Sequence, residues 1–303
     1  MKKITALFES YLKFERNFTD NTAMAYVRDV TKLENYLESG AVPLEKASSL
    51  DIEAFMVSVH ELGISPESQA RILQGIKSFY RFLLAEKYID RDPCELIEAP
   101  KKRQHIPTVL TLAEVNKVIS MPDVSTPLGQ RNRAILETLY SCGLRVSELV
   151  DLRFSRIFEK EGYIIVIGKG RKERLVPISE AALQEIANWK AFRYETDVQP
   201  GYEDYVFLNR FGKAMSRIAV FNVVKQYCAE AGIMKEVSPH TFRHTFATHL
   251  LEGGANLRAI QMMLGHAQIS TTQIYTKADM QLLREDILMY HPRNATGSKP
   301  SRL

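Results

Sequence analysis

Residues 238–277 read SPHTFRHTFATHLLEGGANLRAIQMMLGHAQISTTQIYTK. Ser238 and Pro239 mark a helix start, a capping hydroxyl followed by proline at the first helical position. Helices are predicted over 240–252 and 256–264, with Gly265-His266 in the loop that follows and Tyr275 nine residues beyond that histidine. Two helices back to back set a mainly helical C-terminal half, and what they carry sets its chemistry. His240 and Arg243 stand three residues apart on one helix face, and the positive end of that helix points toward them. Upstream, Arg145 lies in YSCGLRVSEL (140–149), and between the two lies Lys169 in GKGRKERLVPI (168–178). Two arginines, a hydrogen-bonding imidazole and a phenol are what a protein needs to attack a phosphodiester without a metal.

Each of these residues also has a bland reading. The nonbridging oxygens of a phosphodiester gain charge in the transition state and call for fixed cations. Arginine suits them because its planar fork stays charged and donates two parallel hydrogen bonds. Arg145 sits among Leu144, Val146 and Leu149, so it needs a partner or a ligand. An intrahelical pair with Glu148 at i+3 is the local candidate, and the two readings are compatible if Glu148 orients Arg145. His240 and His244 have the i, i+4 spacing of a metal pair, but no glutamate follows the first histidine and no carboxylate cluster stands nearby, so no metal is expected. Taken singly, His266 reads as a structural histidine, Tyr275 as a half-buried tyrosine, and Lys169 as a solvated turn residue.

Outward from this stretch, the second domain begins near residue 107, where Thr111-Leu-Ala-Glu114 makes a capping box. Helices are predicted over 111–120, 128–141, 145–152, 179–195 and 216–231. YIIVIGKGRKERLVPIS (163–179) reads instead as a β-hairpin, a β-branched run with a Gly-Lys-Gly turn and a second short strand. The fold class is therefore mainly α with a small β-hairpin or sheet in the C-terminal domain, an α+β arrangement. Residues 107–303 form that domain, and 101–106 form a linker. The linker region, IEAPKKRQHIPTVL, holds two prolines and the run Lys101, Lys102, Arg103.

Residues 1–100 read as four helices. The first carries Ile4, Leu7, Phe8, Tyr11 and Leu12 at helical spacing. The second is capped by Asp20 or Asn21 and runs through Val30, Leu33 and Leu37. The third follows Ser49, and the fourth opens at Ser65-Pro66-Glu67. The aromatic run SFYRFL reads as core and not as a stacking platform for bases. The result is a small bundle.

Composition is that of an ordinary globular chain, 45% apolar and 25% charged. No run of eighteen apolar residues exists, so no membrane span is expected, and the N-terminus reads as an amphipathic helix and not as a signal peptide. Cys94, Cys142 and Cys228 lie far apart with no CxxC, which fits a reducing cytoplasm. Residues 1–100 hold 12 basic and 16 acidic side chains, whereas residues 101–303 hold 28 and 20. The basic half is compatible with a polyanionic partner.

Arg145, Lys169, His240-x-x-Arg243, Gly265-His266 and Tyr275 recur in this order in a known family. With the wording CGLRVSEL, GKGRKERLVPI, FRHTFATHLL and ISTTQIYT, the chain resembles the tyrosine recombinases, most closely the Xer (XerC/XerD-type) subfamily. The resemblance covers nearly the whole chain, and all six positions match. It implies a two-domain clamp around double-stranded DNA, with residues 1–100 as a SAM-like core-binding domain and 107–303 as the catalytic domain. It implies that Tyr275 is the nucleophile, Arg145 and Arg243 the phosphate clamp, His240 the base, His266 a further donor and Lys169 the acid on the hairpin turn. Arg171 and Lys172 compete for that last role. It implies no cofactor, a tetramer on two recombination sites with the C-terminal helix passed to a neighbour, often a hetero-tetramer with a second Xer recombinase, and activation by a septal DNA translocase of the FtsK type. The function implied is resolution of chromosome dimers at a dif-like site. Integration or resolution for a mobile element, a type IB topoisomerase and a non-catalytic DNA-binding factor are the alternatives. Thr22, Arg28, Arg71 and Lys77, on polar helix faces, and Lys101, Lys102 and Arg103 are candidate DNA contacts. Gln268 and Lys277 depart from the family's usual Asp and His. Ile287, Leu288, Met289 and Tyr290 suit either a docking segment or burial in the same chain.

Overall fold

A computed structural model describes residues 2–38, 40–100, 108–168, 172–193, 197–265 and 277–293. The chain divides into two compact units, Met1–His105 and Ile106–Leu303. The first unit holds helices α1 (Lys2–Phe14), α2 (Asp20–Glu38), α3 (Ser49–Glu61) and α4 (Pro66–Ala85). Local chemistry sets their starts. Ser48 and Asp51 close a capping box on α3, and Ser65 caps α4 with Pro66 in its first turn. The core is aromatic at its centre. Phe8 packs edge-on against Phe79 at 5.2 Å, and Phe79, Tyr80, Phe82 and Leu83 are buried. SFYRFL is thus core, as expected.

In the second unit, Thr111 and Glu114 close the expected capping box on α5 (Leu112–Ser120). It is followed by α6 (Pro127–Cys142), the short α7 (Val146–Val150), strands β1 (Ile157–Phe158), β2 (Tyr163–Ile167) and β3 (Glu173–Pro177), then α8 (Glu180–Arg193), α9 (Arg217–Glu230), α10 (Pro239–Gly253), α11 (Leu257–Leu264) and α12 (Lys277–Tyr290). The predicted hairpin is β2–β3, with Val166 opposite Arg174. The strand β1, not anticipated from the sequence, adds an antiparallel edge to β2 and makes a three-stranded sheet. Its two residues are too few to show an alternating pattern. Leu110, Val115, Ile135, Leu139, Ile164, Val176, Trp189 and Phe242 belong to one buried core. A smaller cluster joins α10, α11 and α12 through Phe246, Leu250, Ile260, Met263, Leu283 and Ile287.

Two of the C-terminal helix's apolar residues answer the docking question differently from the other two. Ile287 is buried and Tyr290 half-buried in the same chain, while Leu288 and Met289 are exposed. The chain just beyond is also pinned. His291 is fully buried between the rings of Tyr140 (4.9 Å) and Phe246 (5.4 Å). Arg293 pairs with buried Glu137 at 2.9 Å and donates to Asn116 at 2.7 Å.

Candidate active site

Four chain ends converge to build the site. The first is the end of α6. Gly143 closes that helix at φ 57°, the left-handed conformation that glycine adopts without strain, and a Cβ there would run into the Phe246 ring. Glycine is needed on both counts. The chain then turns at once, so Arg145 becomes the N-cap of α7 rather than lying within a helix over 145–152. Its backbone N–H donates to Glu148 Oε2 (2.8 Å) and its Nη1 to Glu148 Oε1 (2.8 Å). The i+3 pair read from the sequence is present.

The second and third ends are the start of α10 and the finish of α11. Ser238 and Thr241 close a capping box, with Pro239 in the first turn. One turn later Arg243 points inward, its side chain 8% exposed. Its Nη1 donates to Gly143 O at 2.7 Å, and its Nη2 donates to Leu264 O. The fourth is β3, from which Arg174 reaches Glu148 with both Nη atoms, at 2.6 and 2.8 Å, and Met263 O with Nε at 2.8 Å. Arg145 Nη2 also reaches Gly265 O, at 3.2 Å. Carbonyls in the last turn of a helix lack intrahelical partners and carry the negative end of its dipole. Here the last carbonyls of α6 and α11 receive guanidinium N–H groups, which explains how three cations are tolerated together.

The charge does not balance. Glu148 is 1% exposed and lies 2.8, 2.6 and 4.0 Å from Arg145, Arg174 and Arg243. Burial pushes its carboxyl up, but the hydrogen bonds and charge of Arg174, and then the bonds from Arg145, outweigh that and hold it below the usual carboxylate range. Burial, then the repulsion of Arg145, brings Arg243 down to about 10 despite Glu148, which still leaves it cationic at neutral pH. One carboxylate among three guanidinia leaves about two positive charges unmatched within the cluster. Arg145, 41% exposed at its side chain, carries part of that surplus to the surface. Arg145, Arg243 and exposed His240 line one hollow of about 620 Å³, with Arg217, Leu144 and Phe221 on its walls. A concave, positively charged, partly apolar site with forked donors fits an anionic phosphodiester.

Lys169, His266 and Tyr275 lie outside the described residues, as do Arg171, Gln268 and the linker residues Lys101, Lys102 and Arg103. Lys172 is exposed just before β3. In the first unit, Arg28 is exposed and Lys77 and Thr22 are half-buried. Arg71 forks the buried Asp29 at 2.5 and 3.0 Å. Among the described residues no group of three or more His, Cys, Asp or Glu is arranged to hold a metal ion. The sequence reading missed two members of the site. Arg217 shows only as the first residue of the capped helix α9. Arg174 had a usable signal, because it alternates with buried Val176 on the inward face of β3 and a charged residue at a core register position needs a partner.

A phage integrase family model matches residues 108–281, and a phage integrase N-terminal SAM-like domain model matches residues 6–87. Tyrosine recombinase XerD of Chlorobaculum tepidum is 41% identical over 300 residues, covering 96% of this chain and 97% of that protein. Tyrosine recombinase XerD of Listeria innocua is 40% identical over 290 residues, covering 94% and 97%. In architecture the chain is similar to the Tn1549 transposon integrase in complex with circular intermediate DNA (TM-score 0.71, 20% identity, 92% of this chain and 97% of that one). It is likewise similar to the XerH recombinase bound to palindromic difH substrate (TM-score 0.70, 24% identity, 94% and 84%).

Proposed function

The chain belongs to the phage integrase family of tyrosine recombinases, enzymes that cut and rejoin DNA at specific sites, and from that premise we propose how its residues divide the reaction. Arg145 and Arg243 clamp the nonbridging oxygens of the scissile phosphate, and His266 adds a donor. The Tyr275 phenol oxygen attacks phosphorus, and a 3′-phosphotyrosyl bond forms as the bond to the 5′-oxygen breaks. A free phenol has pKa near 10, so about one in a thousand is ionised at neutral pH, and His240 takes its proton. Lys169 gives a proton to the departing 5′-oxygen. One phosphoester bond forms for each that breaks, so the ester energy is retained. A second strand's 5′-hydroxyl then reverses the step and completes the exchange. The observation that carries this reading is the unmatched positive charge of Arg145 and Arg243 facing one hollow with His240.

In the cell, the reading is resolution of chromosome dimers at a dif-like site in the cytoplasm. A tetramer assembles on two sites, pairing with a second Xer recombinase and answering to an FtsK-type translocase. The helical unit 1–100 and the catalytic unit close on the duplex as a clamp, aided by the basic linker. Relatives bearing the name tyrosine recombinase XerD at about 40% identity support it. The test is a nicked suicide duplex carrying candidate chromosomal sites, assayed for a covalent protein–DNA adduct. Tyr275→Phe should bind as well as the unaltered protein and form no adduct. A residual adduct would place the nucleophile elsewhere, with Tyr290 the first alternative.

A further inference from the structure

We propose that Arg174 is a positioning residue of the phosphate clamp. It fixes the Glu148 carboxylate and the end of α11, and these two in turn hold Arg145 in its working orientation. The inference rests on the reading of Arg145 as a clamp residue.

Arg174 cannot serve as a clamp residue itself. Its side chain is 7% exposed, it faces inward with Val176, and it is not among the residues lining the hollow. Its contacts instead go to the two groups that hold Arg145. Glu148 Oε1 accepts from Arg145 Nη1 and Arg174 Nη1, and Oε2 accepts from the Arg145 backbone and Arg174 Nη2. A glutamate carboxyl turns freely about its last bond. A fork gripping both oxygens removes that freedom and aims the pair at Arg145.

The second route runs along α11. Three successive carbonyls accept from three arginines: Met263 from Arg174, Leu264 from Arg243 and Gly265 from Arg145. Gly265 ends α11 at φ 64°, and a Cβ there would lie 3.0 Å from Arg174 Cδ. The stem of Arg174 therefore packs beside the residue whose carbonyl receives Arg145. Its fork sets the carboxylate and its stem sets the helix end.

Lysine at 174 keeps the charge but donates from a single point, so it cannot hold both oxygens and the Met263 carbonyl together. The test is single-turnover adduct formation on the nicked duplex by the unaltered protein, Arg174→Lys, Arg145→Ala and the double variant. Arg145→Ala should be slower by about 10²–10³-fold. Arg174→Lys should be slower by about 10–100-fold, the usual cost of losing an orienting partner, with unchanged DNA affinity. The double variant should fall within about threefold of Arg145→Ala, because a residue acting through Arg145 has nothing left to orient. Losses that multiply, or an unimpaired Arg174→Lys, overturn the inference while leaving the clamp reading intact. An unimpaired Arg145→Ala sinks the clamp reading, and this inference with it. Should Arg174→Lys not fold, Glu148→Gln with Arg174→Met removes both buried charges together and is read against Arg145→Ala in the same way.

Discussion

Both units bury a carboxylate against arginine, with different arithmetic. In the first, Asp29 is fully buried and forked by Arg71, with Lys32 at 3.4 Å on the rim. Arg71 is half exposed there, at 47% of its side chain. The guanidinium is answered by its own carboxylate, and the pair ties α2 to α4. In the second, Glu148 answers three guanidinia at once. Around Asp29 the surplus is about one charge, and both cations are half exposed to water, which screens them. Around Glu148 it is about two, and Arg174 and Arg243 are nearly buried. An arginine–carboxylate contact does not by itself identify a binding site, whereas a surplus held out of water beside a hollow does.

The largest effect belongs to Lys169, the cation expected on the turn between β2 and β3. Lys169→Ala should slow cleavage by about 10²–10⁴-fold if it protonates the 5′-oxygen, and a 5′-bridging sulfur, which leaves unprotonated, should restore most of that loss. Arg145→Ala should gain nothing from sulfur, since its charge acts at the nonbridging oxygens. If sulfur rescues Arg171→Ala or Lys172→Ala instead, the acid is a neighbour on the turn.

Next come the two carboxylates. Glu148→Gln leaves three guanidinia with no counter-charge and should cost about 3–5 kcal/mol, the range for breaking a buried pair. Asp29→Asn leaves Arg71, which can turn to water, and should cost about 1–3 kcal/mol. Urea unfolding of each unit's own signals checks the order, and equal losses would erase the contrast. Acid acts on Glu148 in the same direction. A carboxyl held below its usual 4.5 lends stability above that value, and the contribution is lost as pH falls through the lower, folded value.

A third effect concerns the C-terminal latch. Burial, against a hydrogen bond to the Tyr140 backbone that favours the charged form, brings His291 down to about 3. The unfolded imidazole takes its proton near 6.5, so the unfolded chain binds it first. Stability from this group is complete above pH 6.5 and drains as pH falls toward 3, by about 1.4 kcal/mol per pH unit. Amide protection factors at the end of α12 should fall between pH 6.5 and 5, and His291→Phe should flatten that dependence. The smallest effect is on salt. Removing Lys101, Lys102 and Arg103 should make the log–log salt dependence of DNA binding shallower by about 0.9 per lost phosphate contact. Arg71→Ala should leave the slope unchanged, because its guanidinium is already committed to Asp29.

What could be read from the sequence follows the distance over which each contact acts. Glu148 stands three residues from Arg145, and His240 three from Arg243, so helical spacing reveals them. Caps at Ser65, Thr111 and Ser238 are equally local. Arg174 and Glu148 are 26 residues apart and meet only because β3 packs beside α7 and α11; no spacing rule links them. The pinning of His291 and Arg293 escapes for the same reason, since partners such as Glu137 and Asn116 lie far away in the chain, whereas β1 escapes because it is only two residues long.

On this reading the positive surplus over Glu148 neutralises the scissile phosphate. A duplex whose scissile phosphate is a methylphosphonate tests it most directly, because a neutral methyl replaces one charged nonbridging oxygen. On ordinary DNA, Arg145→Ala and Arg243→Ala should each lose about 10²–10³-fold in adduct formation. On the methylphosphonate, at least one should recover to within about tenfold of the unaltered protein, since the charge it answered is gone. The same loss on both substrates would show that neither Arg145 nor Arg243 acts by answering the charge of the nonbridging oxygens.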